Sequence, residues 1–312
     1  MEEKTAVDIR GLYKQYGNLV AVNGIDLKIK EGEVFGLLGP NGSGKSTIIN
    51  CLLSLVRYDR GTINIFGSTM KESEVAIKRK IGVIMQEVAV FEELTVYENI
   101  EYFCSLYVKD RKKVKDLTED AISFVSLEDF KNFYPQKLSG GLLRRLNIAC
   151  GIAHRPKLII LDEPTVAVDP QSRNKILKGI QKLNEQGATI IYTTHYMEEA
   201  EQICNNIAII DKGNVVALGT KKTLTDSINM GETIVVEAQI NHAVINELKS
   251  SGKYRSIEYF DNVLKVKAKK ESNSFIGLID FLQQNNVAFH KIYFDMPTLN
   301  DVFLEITGKE LR

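Results

Sequence analysis

No apolar run in the sequence approaches the 18 or so residues that a membrane helix needs, so the chain is not expected to cross a membrane by itself. The opening MEEKTAVDIRGLY is acidic and lacks the basic-then-apolar pattern of a secretory signal, which leads us to expect a cytoplasmic protein. Cys51, Cys104, Cys150 and Cys204 are spread along the chain with no CxxC pair. Neither a disulfide framework nor a zinc site is indicated, and the four thiols read as reduced core residues. Charge of one sign is missing too: Lys plus Arg and Asp plus Glu both number 40, so no global field draws in nucleic acid or anionic lipid. The densest basic stretch, Lys109 to Lys115, reads as a solvated helix face. Internal repeats and low-complexity segments are absent.

What is present is a chain of 312 residues, 44% apolar and 26% charged, long enough for one large domain and a smaller one. Ile25, Leu27 and Ile29 alternate with Asp26, Lys28 and Lys30, which predicts a strand with one buried face ahead of the turn at Glu31-Gly32. The apolar strand Val34 to Leu38 runs into a glycine-rich turn and then a helix predicted over Ser46 to Leu55. Leu158 to Leu161 and Thr189 to Thr193 are short apolar runs flanked by helical patterns, as parallel strands covered on both faces should be. Between them and the glycine-rich turn, residues 87–155 read as a mostly helical lobe. A second unit begins within residues 221–231. It is expected to run strand (Thr233 to Ile240), helix (Ala243 to Ser250), strand (Val263 to Ala268), helix (Ser274 to Gln284) and strand (Phe289 to Phe294). Thr298-Leu299-Asn300-Asp301 predicts a capping box at a final helix start.

Gly39-Pro40-Asn41-Gly42-Ser43-Gly44-Lys45-Ser46 fits GxxxxGK[ST] in full and lies between a strand and a helix, where the mechanism needs it. Glycines let backbone N–H groups converge on phosphate oxygens, the helix N-terminus adds roughly half a positive charge, and Lys45 adds a full one. Ser46 is the expected Mg2+ ligand. Asp162 and Glu163 end the apolar strand Leu158 to Leu161, where desolvated carboxylates are costly unless a cation or water is there to be served. Asp162 is assigned to Mg2+ and Glu163 to polarising an attacking water. Leu138-Ser139-Gly140-Gly141-Leu142 opens another helix and so offers free N–H groups to an anion. Nothing local brings this helix end and the Lys45 loop onto one γ-phosphate, so the meeting of two chains is the natural solution.

The order of these motifs resembles the ABC ATPase family over about residues 5 to 220. The resemblance implies an α/β P-loop NTPase core with an antiparallel β subdomain and a helical subdomain, followed by a small C-terminal α+β domain. We divide the chain at 1–225 and 226–312, with the helical part at about 87–155. The family's ATP-binding loop maps onto Gly39, Pro40, Asn41, Gly42, Ser43, Gly44, Lys45, Ser46 and Thr47. Tyr16 resembles the aromatic that stacks on adenine, and Gln86 the glutamine linking Mg2+ or water to the helical lobe. His195 resembles the switch histidine at the γ-phosphate, and Asp169 the aspartate that connects the two sites of a dimer. Two positions depart from the family pattern: Leu142 stands where glutamine is usual, removing a ribose contact, and Ala167 where glycine is commoner. The segment Pro297 to Arg312 resembles the ends of ATPases of bacterial ABC-2-type drug exporters.

The implied protein binds ATP and Mg2+, hydrolyses ATP, and energises export through a separate integral membrane subunit at the cytoplasmic face of the cell membrane. Its composite sites require a homodimer or a heterodimer with a paralogous ATPase, with no direct nucleic-acid contact. In such an architecture the cargo path lies in the membrane subunit, so drug, lipid, peptide and antibiotic cargoes are equally compatible. The rival reading is a non-transport ABC ATPase acting on DNA or ribosomes. Against it stand the short spacing from Gln86 to Ser139, which lacks a sustained heptad pattern, and the single P-loop.

Overall fold

The computed structural model describes residues 4–71, 74–228, 233–267 and 274–308. The expected strand end at Ala268 and the last four residues of the Pro297 to Arg312 string lie outside them. The chain divides into two units, at Lys221 and Lys222.

The first unit runs β1 (Thr5–Tyr16), β2 (Leu19–Lys30), β3 (Val34–Leu38), α1 (Lys45–Leu52), β4 (Arg60–Ile65), β5 (Ser68–Thr69), α2 (Val75–Lys78) and β6 (Ile81–Ile84). It continues with α3 (Val96–Ser105), α4 (Arg111–Phe124), α5 (Gly140–Ile152), β7 (Leu158–Asp162), α6 (Pro170–Glu185), β8 (Thr189–Thr194), α7 (Met197–Ile203), β9 (Asn206–Asp211) and β10 (Asn214–Gly219). A short helix, α8 (Lys221–Ser227), follows. Among the described residues, one antiparallel sheet has the order β2-β1-β4-β5, and a second has the order β10-β9-β3-β8-β7-β6. In the second sheet β9, β3, β8, β7 and β6 are parallel to their neighbours, and β10 returns antiparallel on β9.

Strands β3, β7 and β8 are buried along their whole length, as unalternating apolar runs require. Their side chains still divide with a period of two. Val34, Ile159, Leu161, Ile190 and Tyr192 face a core shared with α3, α4, α5 and α6. Phe35, Leu37, Leu158, Ile160 and Ile191 face a core shared with β1, β2 and α1. The alternation read in β2 is also present: Ile25, Leu27 and Ile29 are buried and the residues between them exposed. The 87–155 region is helical as expected, with α3, α4 and α5 packed through Val96, Ile100, Val114, Leu117, Ile122 and Leu146. The basic stretch forms the entry to α4, where Lys109, Arg111, Lys112, Lys113 and Lys115 are exposed.

The helix expected to reach Leu55 ends at Leu52, because Ser54 takes a left-handed φ of 53° that an α-helix cannot absorb. The turn at Glu31-Gly32 is present, with Gly32 at φ 75°.

The second unit runs β11 (Thr233–Glu237), α9 (His242–Ser250), β12 (Ser256–Phe260), β13 (Val263–Lys267), α10 (Ser274–Gln284), β14 (Lys291–Asp295) and α11 (Leu299–Thr307). Its sheet has the order β12-β13-β11-β14 with every neighbouring pair antiparallel, a βαββαβ arrangement whose helices share a core with Ile234, Val236, Leu264 and Val266. The expected order of elements omitted β12. That strand lies at an edge and is short and mostly half-exposed: Ile257 and Tyr259 pack only partly buried on the core, alternating with the exposed Glu258 and Phe260. Its pairing is set by a two-residue turn, Asp261 at φ 48° and Asn262 at φ 61°, the doubly left-handed geometry of a tight hairpin. The capping box is present: Thr298 Oγ1 accepts from Asp301 N–H at 3.2 Å, and Asp301 Oδ2 accepts from Thr298 N–H at 2.8 Å.

Candidate functional site

Leu38, Asp162 and Thr194 end the parallel neighbours β3, β7 and β8, so whatever follows each strand converges on one crevice at their carboxyl ends. After β3 comes the glycine-rich loop. A Cβ on Gly39 would lie 2.2 Å from Ile210 O and 2.7 Å from Ser43 Oγ, and one on Gly44, at φ 114°, would lie 2.5 Å from Ala21 O. Only glycine lets the loop pass that close to β9 and β2. Gly213 N–H donates to Ser43 O at 2.8 Å, bracing the loop from the β9–β10 turn. Ser43 Oγ is buried with no partner, an orphaned polar atom in a loop otherwise shaped for anions. Lys45 is 4% exposed and donates to Gly39 O at 2.8 Å and Pro40 O at 3.2 Å, so its ammonium is folded back over the loop it belongs to.

At the end of β7 stand the paired carboxylates, Asp162 as its last residue and Glu163 just beyond, both buried. Thr193 Oγ1 donates to Asp162 Oδ1 at 2.5 Å and accepts from Glu163 N–H at 2.9 Å, so one hydroxyl orients both residues. Glu163 sits at φ 48°, a left-handed conformation that costs a residue with a Cβ roughly 1–3 kcal/mol and turns its side chain back toward the loop. Its carboxylate reaches Lys45 Nζ at 3.4 Å and His195 Nδ1 at 3.2 Å. The structure therefore brings Lys45, Glu163 and His195 together from three separate strand ends.

Ser139 is the N-cap of α5: its Oγ accepts from Leu142 N–H at 3.3 Å, which leaves its own O–H free to donate. Gly141 packs so closely on the start of α6 that a Cβ there would lie 2.4 Å from Ser172 Oγ and 3.0 Å from Asp169 Oδ2. Asp169 is itself a cap, accepting from Ser172 N–H at 2.9 Å, and hydrogen bonding from the Ser172 hydroxyl first, then from its N–H, holds the Asp169 carboxyl below the ordinary carboxylate range. Leu142 is half-buried against the helical-lobe core, an apolar environment that suits leucine at that position. Ala167 has φ 59°, the backbone geometry for which glycine is the natural occupant.

Gln86 is exposed just beyond β6, and Tyr16, 45% exposed, ends β1 with Lys14 Nζ 4.9 Å from its ring centre. The fixed point behind Gln86 is Arg144, a residue that sequence reasoning missed. Buried in α5, it donates to Met85 O, Gln86 O, Asp162 O, Glu163 O and Pro164 O at 2.8–3.3 Å. Burial pulls its guanidinium down to about 10, which leaves it charged at neutral pH. Thr193 was also missed. The adjacency of Arg144 to the Ser139 loop and of Thr193 to His195 is the only signal that the sequence offers for either.

For a divalent cation the donor set matters more than any cage. Ser46, Asp162 and Gln86 supply hard oxygens, and no group of three or more His, Cys, Asp or Glu suited to a metal occurs among the described residues. This pattern, with a single carboxylate among its donors, fits Mg2+, which is bound through one or two carboxylates and otherwise largely by water and phosphate. No helix among the described residues is long and apolar enough to cross a membrane.

A family model described as ABC transporter matches residues 22–166. The chain is 37% identical to the linearmycin resistance ATP-binding protein LnrL of Bacillus subtilis, covering 96% of this chain and 97% of that one. It is 31% identical to the daunorubicin resistance ATP-binding protein DrrA3 of Streptomyces coeruleorubidus, over 99% of this chain and 98% of that one. It is 32% identical to a Nod factor export ATP-binding protein I of a Rhizobium species, over 99% of each. Among solved structures, cbiO1 from Clostridium perfringens, part of the ABC transporter complex cbiONQ, superposes with a TM-score of 0.67 at 26% identity, covering 72% of this chain and 92% of that one. The dimeric ATP-binding cassette MJ0796 bound to ADP and Pi gives 0.63 at 30% identity, covering 69% and 98%.

Proposed function

The chain belongs to the ABC transporter family as an ATP-binding and ATP-hydrolysing subunit of exporters, and from that premise we propose that two copies, or one copy and a paralogue, enclose two ATP molecules between them. Each nucleotide would lie on the Gly39 to Thr47 loop of one chain and meet Ser139, Gly140 and Gly141 of the other, with Tyr16 against the adenine. The observation that carries this reading is the convergence of Lys45, Glu163 and His195 on one crevice, while the Ser139 loop of the same chain is packed instead on Ser172 and Asp169. The similarity to a dimeric cassette supports it.

Within that site Lys45 offsets the charge of the terminal phosphates. Glu163, held by Thr193 and turned inward by its backbone, orients the attacking water and takes its proton. His195, already within reach of Glu163, contacts the γ-phosphate, and Asp169 relates the state of one site to the other. Ser46, Asp162 and Gln86 would hold Mg2+, which supplies further neutralisation of phosphate charge. Arg144 joins the helical lobe to the backbone on which Gln86 and Glu163 sit, so closure at the nucleotide moves the lobe, and the lobe moves an integral membrane subunit at the cytoplasmic face. The names of the full-length relatives support export of a drug-like or antibiotic cargo over action on DNA or ribosomes.

Two measurements test this. Tagged chain purified from detergent-solubilised membranes of its own source should retain a polytopic membrane protein. Recovery of soluble partners alone, with nucleic acid or ribosomes among them, would end the transporter reading. The Glu163→Gln variant at saturating ATP should sediment as a dimer, and a monomer under those conditions would rule out the composite site.

A further inference from the structure

Glu199, in α7, is 3% exposed, and nothing in the mechanism above uses it. A buried carboxylate is costly unless its oxygens are taken up by donors, and here they are. Thr165 Oγ1 lies 2.8 and 2.9 Å from the two carboxylate oxygens, Tyr192 OH donates at 2.7 Å, and Thr194 Oγ1 donates at 2.9 Å. Arg173 Nε stands 3.4 Å from Oε1 as an ion pair without a hydrogen bond, its guanidinium lying over the Tyr196 ring at 4.8 Å.

The partners come from different parts of the reaction machinery. Thr194 precedes His195, and the same Thr194 hydroxyl accepts from Tyr196 N–H at 2.9 Å, so the peptides on both sides of His195 are tied to Glu199. Thr165 lies on the loop between Glu163 and Asp169, where Val166 N–H reaches Glu163 O at 3.4 Å and Val168 N–H reaches Thr165 O at 3.2 Å. Arg173 stands in the first turn of α6, its N–H donating to Asp169 O at 2.9 Å.

We propose that Glu199 is a positioning residue: its carboxylate holds the strand end bearing His195 in fixed register with the loop bearing Asp169, so that a displacement of one is delivered to the other. The proposal rests on the reading of His195 and Asp169 given above. Its chemistry requires a carboxylate, because all three hydroxyls reach one oxygen, Oε2, while the other, Oε1, faces the Arg173 guanidinium. The Thr194 hydroxyl in addition accepts from Tyr196 N–H. An amide that keeps its oxygen at the Oε2 position must turn its N–H2 toward Arg173, and the arm to the head of α6 beside Asp169 is lost.

The test is the single-turnover rate of phosphate release per bound ATP in Glu199→Gln, a quantity that loss of correctly folded molecules does not change. Nucleotide affinity, set by the Lys45 loop, should stay within about twofold of wild type while the rate per bound ATP falls at least about tenfold. Combined with His195→Ala, Glu199→Gln should slow release no further than His195→Ala alone, since it acts through the same group. Thr194→Val, which cuts only the His195 arm, should reproduce the slow rate with affinity unchanged, and it carries the test if Glu199→Gln fails to fold. A Glu199→Gln rate within twofold of wild type overturns the proposal, as does an equal further loss in the His195→Ala background. If His195→Ala itself turns over like wild type, the reading of His195 falls and takes the proposal with it. If His195→Ala is slow and Glu199→Gln and Thr194→Val are not, only the proposal falls.

Discussion

Lys45 Nζ lies 3.4 Å from Glu163 Oε1, with the two side chains 4% and 7% exposed. The cation that a phosphate needs is therefore shared with the carboxylate that would orient water. The pair is well shielded from solvent, so its members compete for partners more sharply than a surface pair does. Replacing Glu163 with Gln removes the competitor while keeping the shape. ATP affinity should rise severalfold and turnover fall by about 10²–10⁴-fold, the range expected for loss of a general base. Fluorescent-nucleotide titration and steady-state phosphate release read the two effects separately, and weaker ATP binding in the variant would show that the ion pair does not compete with phosphate.

Arg144 is predicted to be intolerant even of lysine. Its planar fork reaches five backbone carbonyls, whereas an ammonium has three donors at a single point. Arg144→Lys should lower unfolding stability by about 2–3 kcal/mol, the cost of stranding buried acceptors, and reduce turnover about tenfold through the displaced Gln86 and Glu163 backbone. Urea unfolding and ATPase assay on the same preparation check both.

His154 stacks on Tyr107 with ring centres 3.9 Å apart, and burial holds its imidazole below the ordinary histidine range, against a weaker opposing effect of the Ile81 carbonyl. The folded chain thus keeps His154 neutral at pH values where the unfolded chain protonates it. Its contribution is unchanged above about pH 6.5 and becomes progressively destabilising as pH falls below that value, until the folded pKa is passed. His154→Phe keeps the stack and abolishes the titration. The drop in urea midpoint between pH 7.5 and pH 5 should be smaller in the variant, and equal drops would refute the assignment.

Ala167 carries a methyl group at φ 59°. Ala167→Gly should raise stability by up to about 1 kcal/mol, since relief of left-handed strain outweighs the added freedom of the unfolded chain. Differential scanning calorimetry should show a rise of a few degrees, and a fall would mean that the loop gains more from alanine than its backbone loses.

The parts of the site that were legible in the sequence are those whose chemistry is local. Gly39 to Ser46 carries its own geometry, and Asp162-Glu163 stands out because carboxylates end an apolar strand. Arg144 was illegible because its acceptors lie on two loops far from it in sequence. Glu199 was illegible because, four residues after His195 and beside Glu198 and Glu201, it reads as one acid on a solvated helix. The fold follows the same division. The buried parallel strands announce themselves by composition, but β12 is short and at an edge, its alternation is confined to the partly buried Ile257 and Tyr259, and an exposed Phe260 blurs it.

The fit of Gly141 against Ser172 and Asp169 leaves less room than one methyl group. A mechanical linkage with that little clearance has no backlash: a small shift at the head of α5 cannot be absorbed before the head of α6 feels it. Widening the joint is not open to this sequence by conservative drift, because every other amino acid at residue 141 is larger. Room in this joint can be made only from the opposite jaw, where the facing atoms are the side chains of Ser172 and Asp169.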